Sequence, residues 1–218
     1  MNTCRKLLSA LLCLALLASV LPLGAVPARA AGEESTAVTA WDGTADTNWY
    51  KENENEFTLS TAAQLAGLAQ LVNGGNNFSG KTITLDADIV LNPGASYDPT
   101  TETWINGDGQ PVAEDSLHKW TPIGNYSNNF TGTFDGGAHT ISGLYINSDE
   151  RYQGLFGYVG NVGDIGEDGT VENLTVNGSV SDGDSVGSVV GQNYGSVSGC
   201  SNTGSVSGNY YVGGVVGA

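Results

Sequence analysis

The sequence predicts an all-β fold, a three-sided parallel β-helix fronted by one α-helix, on three observations. Residues 169–191 (GTVENLTVNGSVSDGDSVGSVVG) and 195–217 (GSVSGCSNTGSVSGNYYVGGVVG) superimpose at an offset of 26 without a gap, and eleven of the 23 aligned positions are identical. Valines Val171, Val180, Val189, Val197, Val206 and Val215 are separated by 9, 9, 8, 9 and 9 residues, so each unit contains three short apolar segments. Those segments are β-branched and divided by Gly, Ser and Asn, which suits a pleat and would weaken a helix interior. A fixed period of this length marks stacked units that bury a face only against their neighbours. Stacking equivalent strands about 4.8 Å apart pairs them in parallel and builds inward ladders of like residues.

The elements follow in chain order. Residues 1–30 have a basic start at Arg5 and Lys6, an apolar run from Leu7 to Val20, and a small-residue end at Ala28-Arg29-Ala30, the pattern of a secretory signal peptide. The run alone also fits a membrane anchor, but it is short and an Ala-x-Ala site follows promptly, so cleavage is the preferred reading and no membrane insertion is expected afterwards. Residues 31–59 form a lead-in ending at Phe57-Thr58-Leu59. Over 60–74 the residues Leu65, Leu68, Leu71 and Val72 fall at helical spacing, with Thr61 and Gln64 placed for a capping box and Gly74 for a stop. A β-helix has open ends, and an amphipathic helix over the first coil closes one of them. The β-helix is expected over 75–218, beginning with the alternating run Lys81 to Leu91. Residues 92–118, rich in Pro and Gly, read as an excursion from the coil, and residues 160–168 as the place of a second insertion, eight residues long because Gly157 to Leu174 spans 17 residues where Gly191 to Cys200 spans 9.

One corner is expected to recur. Ile141-Ser142-Gly143-Leu144, Val171-Glu172-Asn173-Leu174 and Val197-Ser198-Gly199-Cys200 share an apolar residue, a spacer, a Gly or Asn, and a second apolar residue. Residues three apart on a straight strand face opposite ways, so both reach the core only across a bend at Gly143, Asn173 and Gly199. That alignment places Leu144, Leu174 and Cys200 in one interior stack.

Charge and cysteine content bound the function. The chain carries a formal net charge of −16, and without residues 1–30 only Lys51, Lys81, Lys119 and Arg151 oppose 23 acidic residues. So acidic a surface does not favour nucleic acid or anionic lipid. Cys4 and Cys13 leave with the signal, so Cys200 remains alone, with no internal disulfide framework, and reads as a buried small hydrophobe.

The run Trp49-Tyr50, Phe57-Thr58-Leu59-Ser60-Thr61, Gln64-Leu65-Ala66, Val72-Asn73-Gly74, Phe78-Ser79-Gly80-Lys81-Thr82-Ile83, Pro122-Ile123-Gly124, Phe130 to Gly136, and Gly154-Leu155-Phe156-Gly157 resembles the start of secreted bacterial surface proteins with GLUG-motif repeats. The segment Gly195-Ser196-Val197 through Val212-Gly213-Gly214-Val215-Val216-Gly217 resembles the GLUG motif itself. The resemblance implies a right-handed β-helix related in shape to pectate lyases, a hand that the general preference for right-handed crossovers also favours. It further implies either an adhesin-like surface module or a region ahead of a catalytic domain, such as the zinc peptidases that cleave immunoglobulin A.

The sequence does not favour catalysis by this chain. Zinc proteolysis wants two histidines on one helical face with a glutamate, and His118 and His139 have no such context. Lyase chemistry on acidic sugars lacks an evident base, and no pair of carboxylates has a distinguishing spacing. No cofactor is expected. Three acidic patches are calcium candidates, namely Asn106 with Asp108, then Asp164, Glu167 and Asp168, then Asp182 and Asp184, against the plainer reading of solvated turns. Trp104, Tyr126, Tyr152, Tyr194, Tyr210 and Tyr211 fall at or near loops and corners, where rings stack on sugars or anchor a protein, or else pack locally.

The function expected is therefore a non-enzymatic secreted or cell-surface repeat module, adhesin-like, presenting loops to a host protein or glycan. The runner-up is the non-catalytic leading region of a larger extracellular peptidase or polysaccharide-degrading enzyme. Because Ala218 directly follows a repeat, further repeats or domains are expected C-terminal to it.

Overall fold

The computed structural model describes residues 41–163 and 169–218. The signal peptide expected over 1–30, residues 31–40 of the lead-in, and the candidates Asp164, Glu167 and Asp168 lie outside the described residues.

The chain opens on strand β1 (Glu56–Leu59) and helix α1 (Ala62–Asn73), followed by β2 (Thr82–Leu85) and β3 (Ile89–Val90). Then come β4 (Ser96–Asp98), β5 (Thr103–Ile105), β6 (Thr133–Asp135), β7 (Thr140–Asn147) and β8 (Phe156–Val159). The last stretch holds β9 (Thr170–Glu172), β10 (Thr175–Ser181), β11 (Asp184–Val186), β12 (Val190–Asn193), β13 (Ser196–Ser198), β14 (Ser201–Asn202), β15 (Ser205–Val206) and β16 (Tyr210–Val212). Among the described residues the body is thus β-dominated with one α-helix, and every named strand pair is parallel except β4 with β5. Among the described residues no helix is long and apolar enough to cross a membrane.

One five-stranded sheet has the order β1-β2-β6-β9-β13, and a second runs β14-β10-β7-β3 with β15 also on β10. Successive partners in the first sheet, Glu56↔Thr82, Thr82↔Thr133, Thr133↔Thr170 and Thr170↔Ser196, lie 26, 51, 37 and 26 residues apart. The two longer intervals contain the excursions read from the sequence. The two shorter ones equal the repeat period.

Register explains the burial pattern. Phe57, Ile83, Phe134, Val171 and Val197 form one row across the first sheet, and the first four are buried. Ile89, Ile141 and Val176 form a second row, and Ile146, Val180 and Val206 a third. A fourth runs through bridges from Ile123 to Phe156, Val190 and Val216. These rows and the buried face of α1 (Leu65, Leu68, Val72) belong to one hydrophobic core. Each fully buried Val, Leu, Ile or Phe stabilises the fold by roughly 1.5–3 kcal/mol.

Helix α1 starts as the sequence predicts, with Thr61 Oγ1 accepting from the Gln64 amide and Gln64 Oε1 accepting from the Thr61 amide. Its end differs by one residue. Gly74 keeps a right-handed conformation, and Gly75, at φ 104°, makes the left-handed turn. The Gly75 amide then reaches Val72 O and the Asn76 amide reaches Leu71 O, the Schellman pattern.

Two expectations about register need correction. The parallel sheet begins at β1, before the helix, and not after residue 75. Val171–Leu174 and Val197–Cys200 do superimpose, with Asn173 (φ 54°) and Gly199 (φ 60°) both in the left-handed bend. Ile141–Leu144 does not share that corner: Ile141 pairs with Val176 and Leu144 with Gly178, while Phe134 is the partner of Val171. Between those pairs β7 inserts Ser142 and Gly143 opposite the single residue Asn177, a bulge that imitates the corner's spacing on another strand. Leu144 therefore does not stack on Leu174. Cys200 is half-buried against the core, and burial raises its thiol pKa.

The 92–118 excursion contains the β4–β5 hairpin and a 3-10 turn at Glu114–Ser116. Buried Asn92 clamps its two ends, donating to Gly143 O at 2.8 Å and His118 O at 3.1 Å while accepting from the His118 amide at 2.8 Å. Tyr145 Oη donates to Glu114 at 2.8 Å and so pins the turn onto β7.

Candidate functional site

Four tyrosines from distant stretches meet on one face. Tyr158 of β8 is the hub, 3% exposed, and the ring of Tyr194 stacks on it at 5.6 Å and 27°. Tyr152 and Tyr126 meet the same ring edge-on, at 5.3 Å and 84° and at 6.1 Å and 85°. Edge-to-face and offset-stacked contacts at these distances are the favoured aromatic geometries. Burial and the surrounding tyrosine phenols push the Tyr158 pKa up to about 12.

Local structure delivers each ring. The Tyr152 amide donates to Asp184 O at 2.8 Å and the Tyr194 amide to Val159 O at 2.8 Å, so both hang on ladder bonds. Tyr126 sits in a loop braced from α1. Asn73 Oδ1 accepts from the Gly124 amide at 3.0 Å and from Asn125 Nδ2 at 3.2 Å, and Asn128 Nδ2 donates to Asn73 O at 2.8 Å. Asn125 Oδ1 accepts from the amides of Ser127 and Asn128 at 3.0 and 3.1 Å. Three asparagines thus fix a loop whose tyrosine is 72% exposed.

A cleft of about 510 Å³ adjoins the cluster, and Tyr152 belongs to both. Asn73, Lys119, Asn125, Asn147, Arg151 and Gln153 are among its lining residues. One of its two cations is paired, with Arg151 Nε 3.6 Å from Asp184, and Glu150 also lines the cleft. Lys119 Nζ donates to Asn147 O at 3.4 Å and stands 6.0 Å from the Tyr145 ring.

The ring residues singled out from the sequence separate into three places. Tyr126, Tyr152 and Tyr194 come together around Tyr158. Tyr210 and Tyr211, 68% and 72% exposed, sit on β16, where no ring contact joins them to that cluster among the described residues. Trp104 is not a surface ring: it is 2% exposed, packed edge-on between Tyr97 and Tyr145 at 5.5 and 5.8 Å. The hairpin folds it back onto β7, which the Gly- and Pro-rich neighbourhood hides. Tyr152 itself is half-buried, and its neighbour Gln153 takes the ladder position opposite Val186.

Sequence reading passed over the hub, Tyr158, and the brace, Asn73. The cluster's partners lie 32, 6 and 36 residues from Tyr158, so no local pattern marks it. Among the acidic candidates, Asp184 is engaged by Arg151, and Asn106 Oδ1 accepts from the Asp108 and Gln110 amides to build its own turn. Among the described residues no three His, Cys, Asp or Glu side chains group as a metal set would.

Comparison with known proteins then gives three results. The family described as the GLUG motif matches residues 182–207, one period long, running from the turn before β11 to the residue after β15. Halomucin of Haloquadratum walsbyi is 32% identical over 191 residues, 87% of this chain but 2% of halomucin. A putative Gly-rich membrane protein of Evansella cellulosilytica is 31% identical over 153 residues, 68% of this chain and 14% of that protein. The chain thus spans a small part of the length of either relative. No solved structure matches.

Proposed function

We propose that this chain, which carries a GLUG motif at 182–207, is a non-enzymatic repeat module displayed outside the cell or on its surface, adhesin-like, offering side loops to a protein or glycan. The single observation that carries the reading is the wall of parallel ladders with apolar rows inward and hydroxyl and carboxylate side chains outward. Such a wall serves display better than chemistry. Its form is a right-handed, three-sided parallel β-helix, supported by partners one 26-residue period apart in β9–β13, β10–β14, β10–β15 and β11–β16. An extracellular setting is supported by the mucin and membrane-protein names of the two relatives and by the signal-like pattern of residues 1–30.

The absence of catalysis is supported by how the two histidines are used. His139 Nδ1 pairs with Asp88 at 3.2 Å, and the His118 ring packs against Trp41 at 5.6 Å. Among the described residues no hydrogen bond joins either ring to a hydroxyl or thiol. No cofactor is proposed, and calcium in the Asp182–Asp184 turn is left to the test described in the Discussion.

Protease shaving of intact cells, followed by peptide mapping, tests the location. Exposed-loop peptides from 92–118, and a mature N-terminus at residue 31, support the reading. A chain recovered only from the cytosol with its N-terminus uncut ends it.

A further inference from the structure

The exposed ring of Tyr126 is held more firmly than the fold itself requires. A loop on a surface gains little stability from fixing an aromatic side chain in water, and its usual state is mobile. Here Asn73, Asn125 and Asn128 spend five side-chain hydrogen bonds on that loop, and Asn125, the residue before the ring, lines the same cleft as Tyr152. Fixing contact groups before a ligand arrives removes the ordering cost at the moment of binding. We infer that the cleft beside Tyr126 and Tyr152 binds a neutral oligosaccharide, with pyranose faces on the tyrosine rings and hydroxyls on the exposed Asn147 amide and the second N–H of Asn125 Nδ2.

The chemistry of the rim selects that class. Pyranose rings offer C–H groups on one face and hydroxyls around the edge, and they match flat rings flanked by planar amides. An anionic ligand is disfavoured because Arg151 is met by Asp184, Glu150 lines the cleft together with Lys119, and the chain carries a net charge of −16. A protein partner would want an apolar pocket for an anchor side chain, whereas here Trp120, Pro122 and Ile146 are interspersed with Asn73, Asn125, Asn147 and Thr121. Tyr158 has the supporting role, since its buried ring sets the angle of the other three.

This inference rests on the display reading above, and the two fail separately. The test is titration of the chain spanning 31–218 with cellohexaose, chitohexaose and mannohexaose, with hexagalacturonate as the charged comparator, followed by calorimetry and saturation-transfer NMR. The expected result is saturable binding of at least one neutral hexasaccharide, weakened about tenfold or more by Tyr126→Ala or Tyr152→Ala. Tyr211→Ala, on β16, is expected to change it by less than about twofold. Because Tyr126 is exposed, its variant should melt as the parent does, which separates lost contact from lost fold. Three outcomes overturn the inference: no neutral sugar binding at millimolar concentration, binding indifferent to both tyrosine variants, or preference for hexagalacturonate. A blank titration with a chain that shaving finds on the cell surface sinks the sugar site alone.

Discussion

Val180 and Val206 are partners in one parallel ladder, 26 positions apart, yet Val180 is 1% exposed and Val206 is only half-buried. The same side chain in the same row therefore does unequal work. Val180→Ala is expected to cost about 2 kcal/mol through lost burial and the cavity left behind, and Val206→Ala less than about 1. Urea melts of both variants measure the difference, and equal costs would contradict the register.

Gly178 and Gly204 occupy one row, and a methyl group on Gly178 would run into the Leu144 carbonyl oxygen. Backbone cannot retreat as a flexible side chain does. Gly178→Ala is expected to destabilise the chain by about 2 kcal/mol or more, whereas Gly107→Ala, with open space around it, should be nearly silent.

Removing the N-cap side chain with Thr61→Ala should cost about 1 kcal/mol, since the Gln64 amide loses its acceptor. Thr61→Ser should recover most of it. Circular dichroism melts of the two variants, with the parent chain, read the result.

Alkali should weaken the tyrosine cluster within a defined window. The folded pKa of Tyr158, at about 12, lies above the ordinary value of 10.0, so the native state holds the phenol proton more tightly than the unfolded chain does. That stabilisation is complete below pH 10 and is lost as pH climbs toward 12. Tyr145 behaves likewise, its pKa raised to about 12 by burial and by Glu114. Spectrophotometric titration of the nine tyrosines should show two late phenolates, one of which disappears in Tyr158→Phe.

Calcium binding by the Asp182–Asp184 turn makes a sharp comparison, because the Asp184 carboxylate already faces Arg151 at 3.6 Å. Melting temperatures in calcium and in chelator should agree within about 1 °C. A larger rise in calcium would assign the turn a metal.

Much of the fold was legible because its signals are local or periodic. The Thr61–Gln64 box, the helical spacing of Leu65, Leu68 and Val72, and the 26-residue valine rows each lie within one window. Residues 92–118 were legible as an excursion from Pro and Gly content, and the clamp by Asn92 closes at its two ends. Ile141–Leu144 misled because a bulge and a corner look alike in one dimension: both put Gly between apolar residues. Trp104 misled because burial there depends on a hairpin folding back, which composition does not encode. The candidate site was half legible. Three of its tyrosines stood out by position, but their common neighbour Tyr158 and the brace from Asn73 depend on contacts across 30 or more residues.

The clamp at Asn92 has a practical corollary for protein engineering. A single side chain joins the departure and return points of a 27-residue detour, and Ile89 and Leu91 at its mouth keep their bonds to Ile141 and Ser142. Foreign epitopes spliced at the hairpin tip, between Asp98 and Thr103, would hang from a scaffold that does not register their length.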